Sequence, residues 1–254
     1  MSPMPQSPPL KEDPLRIEIC GDVVDLARHA AGLFVSLAGR SLGARRQFAV
    51  ALSGGSTPRS LYEMLREPQL AFQIVWPAVQ VFFSDERCVP PDHEASNYRM
   101  VREAFLAHVP IPPDNVHRMA AEDPDPSRAA AACESALRET MDRGTPRLDL
   151  VLLGMGEDGH TASLFPGGPE VEETSRLVTP SVAPDGMSRL TMTLPLINAA
   201  RVVAILVAGE SKAGTLRRVL GADAHDEGLP VQRVRPHDGQ LIWIVDREAA
   251  SLLH

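Results

Sequence analysis

The sequence predicts an α/β fold: one domain on a mostly parallel β-sheet, with helices on both faces. Three observations carry that prediction. Strand-like and helix-like stretches alternate along all 254 residues, with no low-complexity linker dividing them. Several strand-like stretches are apolar on both faces, as strands of a covered parallel sheet are. Hydrophobic residues make up 44% of the chain, enough for a large core at this size. Residues 15–254 are assigned to this single domain. Residues 1–14, MSPMPQSPPLKEDP, are proline-rich and lack the apolar core of a signal peptide, so a disordered N-terminal tail is expected there.

The elements follow in order. Arg16–Cys20 reads as a short first strand. Asp22–Ala38 carries Val23, Leu26, Ala30, Leu33, Phe34 and Leu37 at helical spacing. Phe48–Leu52 is a compact apolar run and so a buried strand. Ser53-Gly54-Gly55-Ser56-Thr57-Pro58 follows, and Leu61, Tyr62 and Leu65 mark the helix after it. Val79–Phe83 is the next strand, ending in Ser84-Asp85-Glu86-Arg87 and a long loop through Pro90 and Pro91. Asn97–His108 reads as a helix, Ile111–Asn115 as a proline turn, and Ser127–Asp142 as an alanine-rich helix introduced by Pro126. Leu148–Leu153 is a strand that stops at Gly154 and Gly156. Leu190–Thr193 and Arg201–Val207 are strands with a short turn or helix between them. Ser211–Leu220 is a helix, Gly221–Pro230 a loop, Leu241–Val245 the last strand, and Arg247–Leu253 a short terminal helix.

Composition excludes several classes. The net charge of −8 argues against a general nucleic-acid binder, which shows a basic face. The three cysteines, Cys20, Cys88 and Cys133, are far apart and form no CxxC, so reduced thiols in a cytoplasmic protein are expected. The apolar runs, such as Val202–Ala208, are far short of a membrane span. No HExxH, clustered Cys/His set or EF-hand spacing occurs, so no metal is indicated. Gly209-Glu210-Ser211-Lys212-Ala213 lacks the last glycine of a nucleophile elbow.

Four stretches can carry chemistry. In the first, Gly54 and Gly55 let backbone approach a ligand, Ser56 or Thr57 can cap the helix, and Pro58 suits its first turn. Its free N–H groups and dipole favour an anion such as phosphate, although an ordinary strand-to-helix turn has the same pattern. In the second, Arg87 at a strand end can clamp a carboxylate or phosphate, and Asp85 can orient a histidine or accept a sugar hydroxyl. A solvated charge cluster is the plainer reading, and Asn97-Tyr98 downstream adds hydrogen-bonding groups or simply starts a helix. The third is Gly154 to His160, where Glu157, Asp158 and His160 gather at a strand's carboxyl end. That edge is where ligands bind in open α/β sheets, and His160 can take a proton from water and return it to a leaving oxygen. Asp158 or Glu157 can hold its tautomer. The fourth pairs Arg189 with Lys212, a cation set against a helix dipole and so suited to an anionic ligand.

Taken together, ALSGGSTP, FFSDERCVPPDHEASNY, LDLVLLGMGEDGHTASLFPG, RLTMTLPLINAARVVAILVAGESKA and LPVQRVRPHDGQLIWIVD resemble the 6-phosphogluconolactonase family. They span roughly Phe48 to Asp246, most of the chain. The resemblance implies a Rossmann-like, doubly wound fold related to sugar-phosphate deaminases and isomerases. It implies hydrolysis of 6-phospho-D-glucono-1,5-lactone to 6-phosphogluconate, the second step of the oxidative pentose phosphate pathway, without a cofactor. Glu157 stands where the family often has proline, and His237 where a small hydroxyl residue is common. Catalytic roles are expected for His160, Asp158, Arg87 and Asp85. Substrate and phosphate contacts are expected from Gly54, Gly55, Ser56, Thr57, Arg189 and Lys212. The expected partner is the small lactone substrate alone, with no nucleic acid or membrane, in a monomer or weak homodimer. Two alternatives remain. An amino-sugar-phosphate deaminase shares GMGxDGH but typically continues HIAFNEP, with a glutamate shortly after the histidine, where this chain has Thr161-Ala162-Ser163-Leu164-Phe165-Pro166. A sugar-phosphate sensor would bind without turnover.

Overall fold

The computed structural model describes residues 15–141, 146–222, 224–226 and 228–253. The expected N-terminal tail, residues 1–14, lies outside the described residues. β1 (Leu15–Cys20) leads into α1 (Val23–Arg45), where Asp22 caps the first turn by accepting from the amides of Val24 and Asp25. β2 (Phe48–Leu52), α2 (Ser56–Leu65), the one-turn α3 (Pro68–Ala71) and β3 (Val79–Phe83) follow. β4 (Asp85–Arg87) and α4 (Asn97–Ala104) come next, then α5 (Pro126–Thr140) and β5 (Leu150–Gly154). β6 (Val178–Val182), β7 (Ser188–Met192), α6 (Leu194–Ala199), β8 (Val202–Val207), α7 (Ala213–Leu220) and β9 (Gln240–Asp246) follow, and a 3-10 turn, Ala249–Leu252, stands in place of the expected terminal helix.

The main sheet has the order β1-β9-β8-β5-β2-β3, and every pairing in it is parallel. β2, β5 and β8 lie in its middle and are almost wholly buried, which explains their uninterrupted apolar sequences. From β2 the chain builds outward to β3, and from β5 it builds the other way to β8 and β9. The winding therefore reverses between β2 and β5, and the crevice at their carboxyl ends is where such a sheet binds ligands.

The sequence did not disclose the second sheet. β4, β7 and β6 form an antiparallel set in the order β4-β7-β6. Ser84 joins the two sheets: its amide donates to Leu52 O at 2.8 Å and its carbonyl accepts from Met192 N at 2.7 Å. The stretch expected to be a strand end and loop is thus a strand in its own right, with Asp85 opposite Thr191 and Arg87 opposite Arg189. β6 was missed because it contains Pro180. Proline is tolerated there because, among the described residues, β6 is an edge strand pairing only with β7.

Two helix ends also differ. α1 continues through Gly39 and Gly43 to Arg45 and stops at Arg46, whose φ of 64° is left-handed. Burial of Leu37, Ala38 and Ser41 holds those turns in place. α4 stops at Ala104, and a short 3-10 turn, Leu106–His108, replaces its expected last turn. Phe105 breaks the helix and enters the core, with its ring 6.0 Å from Tyr62 and 5.4 Å from Trp76.

Candidate active site

The cleft is assembled from three strand ends. After β2, Ser53 is pinned to α2: its amide donates to Tyr62 Oη at 3.0 Å, and the Tyr62 hydroxyl donates to Ser53 O at 2.9 Å. Burial pushes the Tyr62 phenol well above its ordinary range, so it remains a donor. A Cβ on Gly54 would stand 1.8 Å from Asn97 Oδ1, so no side chain fits at that position. Gly55, with φ of 107°, is the residue before α2, and no side chain caps the helix. This corrects the expected capping by Ser56 or Thr57. Both are instead the first helical residues, and both line the cleft together with Gly54 and Gly55. The first-turn amides have no intrahelical acceptor and carry the positive end of the dipole.

The antiparallel sheet brings the charge. Arg87 and Arg189 are cross-strand neighbours, and both line the cleft. Arg87 is firmly held: its Nη1 donates to Ala95 O at 2.8 Å and to Asn97 Oδ1 at 2.7 Å. Arg189 is held more loosely, 4.0 Å from Asp85 Oδ2 and stacked over the Phe165 ring at 5.6 Å. Burial and the neighbouring Arg87 charge both lower the Arg189 pKa. Among the described residues, the Nε atoms of Arg87 and Arg189 are buried without an acceptor. Two crowded, underpaired guanidinium groups favour an anion beside them.

Asp85 is buried, and its carboxylate is committed. It accepts from Ser163 Oγ at 2.7 Å, Ser84 Oγ at 3.2 Å and Asn97 Nδ2 at 3.3 Å. It therefore tethers the histidine loop through Ser163, and the expectation that it orients the imidazole directly is corrected.

After β5, the loop folds back on itself. Gly156 N donates to His160 O at 2.9 Å, and Thr161 Oγ1 donates to Gly154 O at 2.8 Å. A Cβ on Gly156 would stand 2.1 Å from His160 Nδ1, so the imidazole closes against bare backbone where no side chain fits. Asp158 Oδ1 is 2.6 Å from His160 Nδ1 and also accepts from the His160 amide at 3.1 Å. A carboxylate can only accept, so Nδ1 donates in this contact, and in the neutral ring Nε2 keeps its lone pair. Burial works to raise the Asp158 carboxyl, but the His160 amide, charge and ring N–H together outweigh it and hold the carboxyl below its ordinary value. Phe165 packs on the ring at 4.9 Å. Ala162 stands at φ 49°, a left-handed strain for alanine at the cleft wall. Lys212, just before α7, lines the opposite wall, 3.4 Å from Glu157 Oε1.

These pieces enclose a cleft of about 270 Å³. His160, Arg87, Asp85, Gly54, Gly55, Ser56, Thr57, Arg189 and Lys212 all line it, and Asp158 stands behind His160. Two supporting residues were not selected from the sequence. Glu86 is buried and binds the amides of Arg87, Asn97 and Tyr98 at 2.7–2.8 Å, fixing both the arginine and the start of α4. Burial raises its pKa despite those donors. Glu170, also buried, accepts from Phe165 N at 3.2 Å and sets the ring behind His160. Among the described residues, no three His, Cys, Asp or Glu side chains converge as metal ligands.

A family described as glucosamine-6-phosphate isomerases/6-phosphogluconolactonase matches residues 21–243. The chain belongs to this family. A 6-phosphogluconolactonase from Synechocystis sp. (strain ATCC 27184 / PCC 6803 / Kazusa) is 42% identical over 217 residues, covering 84% of this chain and 88% of the relative. The human 6-phosphogluconolactonase is 40% identical over 218 residues, covering 83% of each. The solved 6-phosphogluconolactonase of Trypanosoma brucei superimposes with a TM-score of 0.84 at 29% identity, covering 94% of this chain and 98% of that one. Within the family, the chain is an enzyme of the lactonase type. The α/β fold on a mostly parallel sheet is shared with that solved structure.

Proposed function

We propose that this enzyme hydrolyses 6-phospho-D-glucono-1,5-lactone to 6-phosphogluconate in the pentose phosphate pathway, with His160 as general base. One observation carries the reading: Asp158 occupies His160 Nδ1 at 2.6 Å, which leaves Nε2 uncommitted to that acid on a histidine that lines the cleft. Nε2 takes a proton from water as its oxygen attacks the lactone carbonyl carbon. The carbonyl electrons move onto oxygen, and the rigidly held Arg87 stabilises the charge that develops there. As the tetrahedral intermediate collapses, the bond from the carbonyl carbon to the ring oxygen breaks. Protonated His160 donates to that oxygen, which becomes a hydroxyl. The other product group is a carboxylate, and its proton passes to solvent.

The substrate phosphate rests on the amides of the glycine turn, Gly54 and Gly55, and of the first turn of α2, Ser56 and Thr57. Arg189 and Lys212, less tightly held than Arg87, supply its countercharge. The continuation Thr161-Ala162-Ser163 supports hydrolysis over amino-sugar deamination. Phe165, which stands where that deaminase motif has its glutamate, instead packs its ring on His160 at 4.9 Å. The three unpaired cysteines fit a reducing compartment, and the reaction is assigned to the cytosol.

The test is a coupled assay. The lactone is generated fresh with glucose-6-phosphate dehydrogenase, and the product is followed with its own dehydrogenase against the spontaneous rate. Wild type should accelerate hydrolysis, and His160→Ala should lower kcat about 10²- to 10⁴-fold while keeping its fold. Near-wild-type turnover by His160→Ala would remove the base assignment. No acceleration by folded wild type would remove the lactonase reading.

A further inference from the structure

The far edge of the main sheet carries a second feature, remote from the cleft. Among the described residues, β1 pairs only with β9, and its outer edge meets no strand. Soluble proteins usually blunt such an edge with lysine, proline or a bulge. β1, Leu-Arg-Ile-Glu-Ile-Cys, has no lysine or proline. Its apolar residues alternate onto one face and remain open: Leu15 is 47% exposed, Ile17 43% and Ile19 59%. On that face they continue the apolar row of β9, since Leu15 is in register with Leu241, Ile17 with Trp243 and Ile19 with Val245. Arg16 and Glu18 alternate onto the other face, where His29 of α1 also contacts Glu18.

The order of these residues is self-complementary. Read outward from Ile17, each direction meets a charge and then an aliphatic residue, and the two charges have opposite sign. An antiparallel copy centred on Ile17 sets Ile17 against Ile17, Leu15 against Ile19, and Arg16 against Glu18 on both sides of the axis. No neighbouring register does this. Centring the pair on Arg16 or on Glu18 opposes like charges. A one-residue slip turns the apolar face of one copy onto the charged face of the other. Parallel pairing in register sets arginine against arginine and glutamate against glutamate.

We propose that β1 is a self-docking edge: two copies of this chain pair β1 antiparallel about a two-fold axis at Ile17, and one continuous sheet runs through both. The contact is small beside the roughly 1,200–2,000 Å² of a standard stable interface, so the dimer forms and dissociates with concentration. The cleft lies at the carboxyl ends of the central strands, and turnover is independent of the pairing.

Sedimentation velocity of the full chain across the micromolar range tests this. Wild type should shift from monomer to dimer as concentration rises, and Ile17→Lys should remain monomeric throughout. Arg16→Glu alone opposes like charges at both ends and should weaken association by about tenfold. Combining it with Glu18→Arg exchanges the charges, and association should recover. Lactone hydrolysis and thermal unfolding, measured alongside, should stay at wild-type values in the charge variants, so a lost dimer cannot be a lost fold. A wild type monomeric at every concentration overturns the proposal. So does an Ile17→Lys protein that dimerises normally, or a charge exchange that fails to restore what Arg16→Glu removed.

Discussion

The six-stranded and three-stranded sheets meet at Ser84 and contribute different things to the cleft. The parallel sheet contributes position: the ends of β2, β5 and β8 launch the glycine turn, the histidine loop and the segment leading to Lys212. The antiparallel sheet contributes permanent charge, with Asp85 and Arg87 from β4 and Arg189 from β7. The division has a physical cause. β2, β5 and β8 are covered on both faces, and an ionised side chain within them would lose its water without a partner. Charge must enter at a strand end, or from a neighbouring sheet that opens on the cleft. What the comparison teaches is that both guanidinium groups of the site come from outside the scaffold that locates it.

The sharpest test separates the two arginines of the small sheet. Arg87→Gln should lower kcat about 10²- to 10³-fold with little change in KM, because a fixed donor to the developing oxyanion acts only in the transition state. Arg189→Gln should chiefly raise KM, because phosphate is bound alike before and during reaction. Steady-state kinetics on both variants decides this, and two variants that change KM alone would make the small sheet a binding device only.

A smaller effect is expected from the large sheet's covering helix. Gly39 lies inside α1, exposed, and a Cβ there would meet nothing within 4 Å. Gly39→Ala should stabilise the protein by about 0.5–1 kcal/mol and leave kcat untouched. Calorimetry should place its Tm about 1–4 °C higher. An unchanged or lower Tm would show that this turn of α1 makes a contact within the folded molecule that the glycine protects.

The smallest effect lies in the turn that feeds the small sheet. Glu173 accepts from the amides of Ser175 and Arg176 and from the Ser175 hydroxyl, which hold its carboxyl at about 2. A depressed folded-state pKa contributes stability that is full above the ordinary carboxyl range and lost as pH falls through about 2. The group is largely exposed, so solvent screening keeps the contribution small. Glu173→Gln should therefore melt slightly below wild type at neutral pH, and the gap should close towards pH 2. A carbon-detected titration of Glu173 with a midpoint in the ordinary glutamate range would contradict this account.

Legibility followed the same division between the sheets. Each buried parallel strand was readable because both of its faces are apolar, and a short run of Val, Leu, Ile, Phe or Ala between turn residues suits a strand covered on each side. β4 was not readable, since three residues rich in charge look like a solvated loop until Arg189 and Thr191 stand opposite them. β6 was hidden by Pro180, which an edge strand accepts. Within the site, the residues meeting in the cleft were legible from their motifs, while Glu86 and Glu170 were not. A buried carboxylate binding backbone amides leaves no pattern in the sequence, because its partners are groups nearly every residue carries.

The sequence by itself determined the α/β class, most of the strands, and the chemical types gathered in the cleft: a glycine turn before a helix, a histidine beside an acid, and cations near strand ends. Those follow from local periodicity and residue chemistry, which operate over a few neighbours. Only the tertiary structure decided which acid holds His160, that Arg87 and Arg189 stand side by side, and that Asp85 answers to Ser163 across 78 positions of chain. The arginine pair and the Asp85–Ser163 bond are long-range pairings, set by which strands meet and in which register, and one residue of slip would turn each strand side chain to the opposite face.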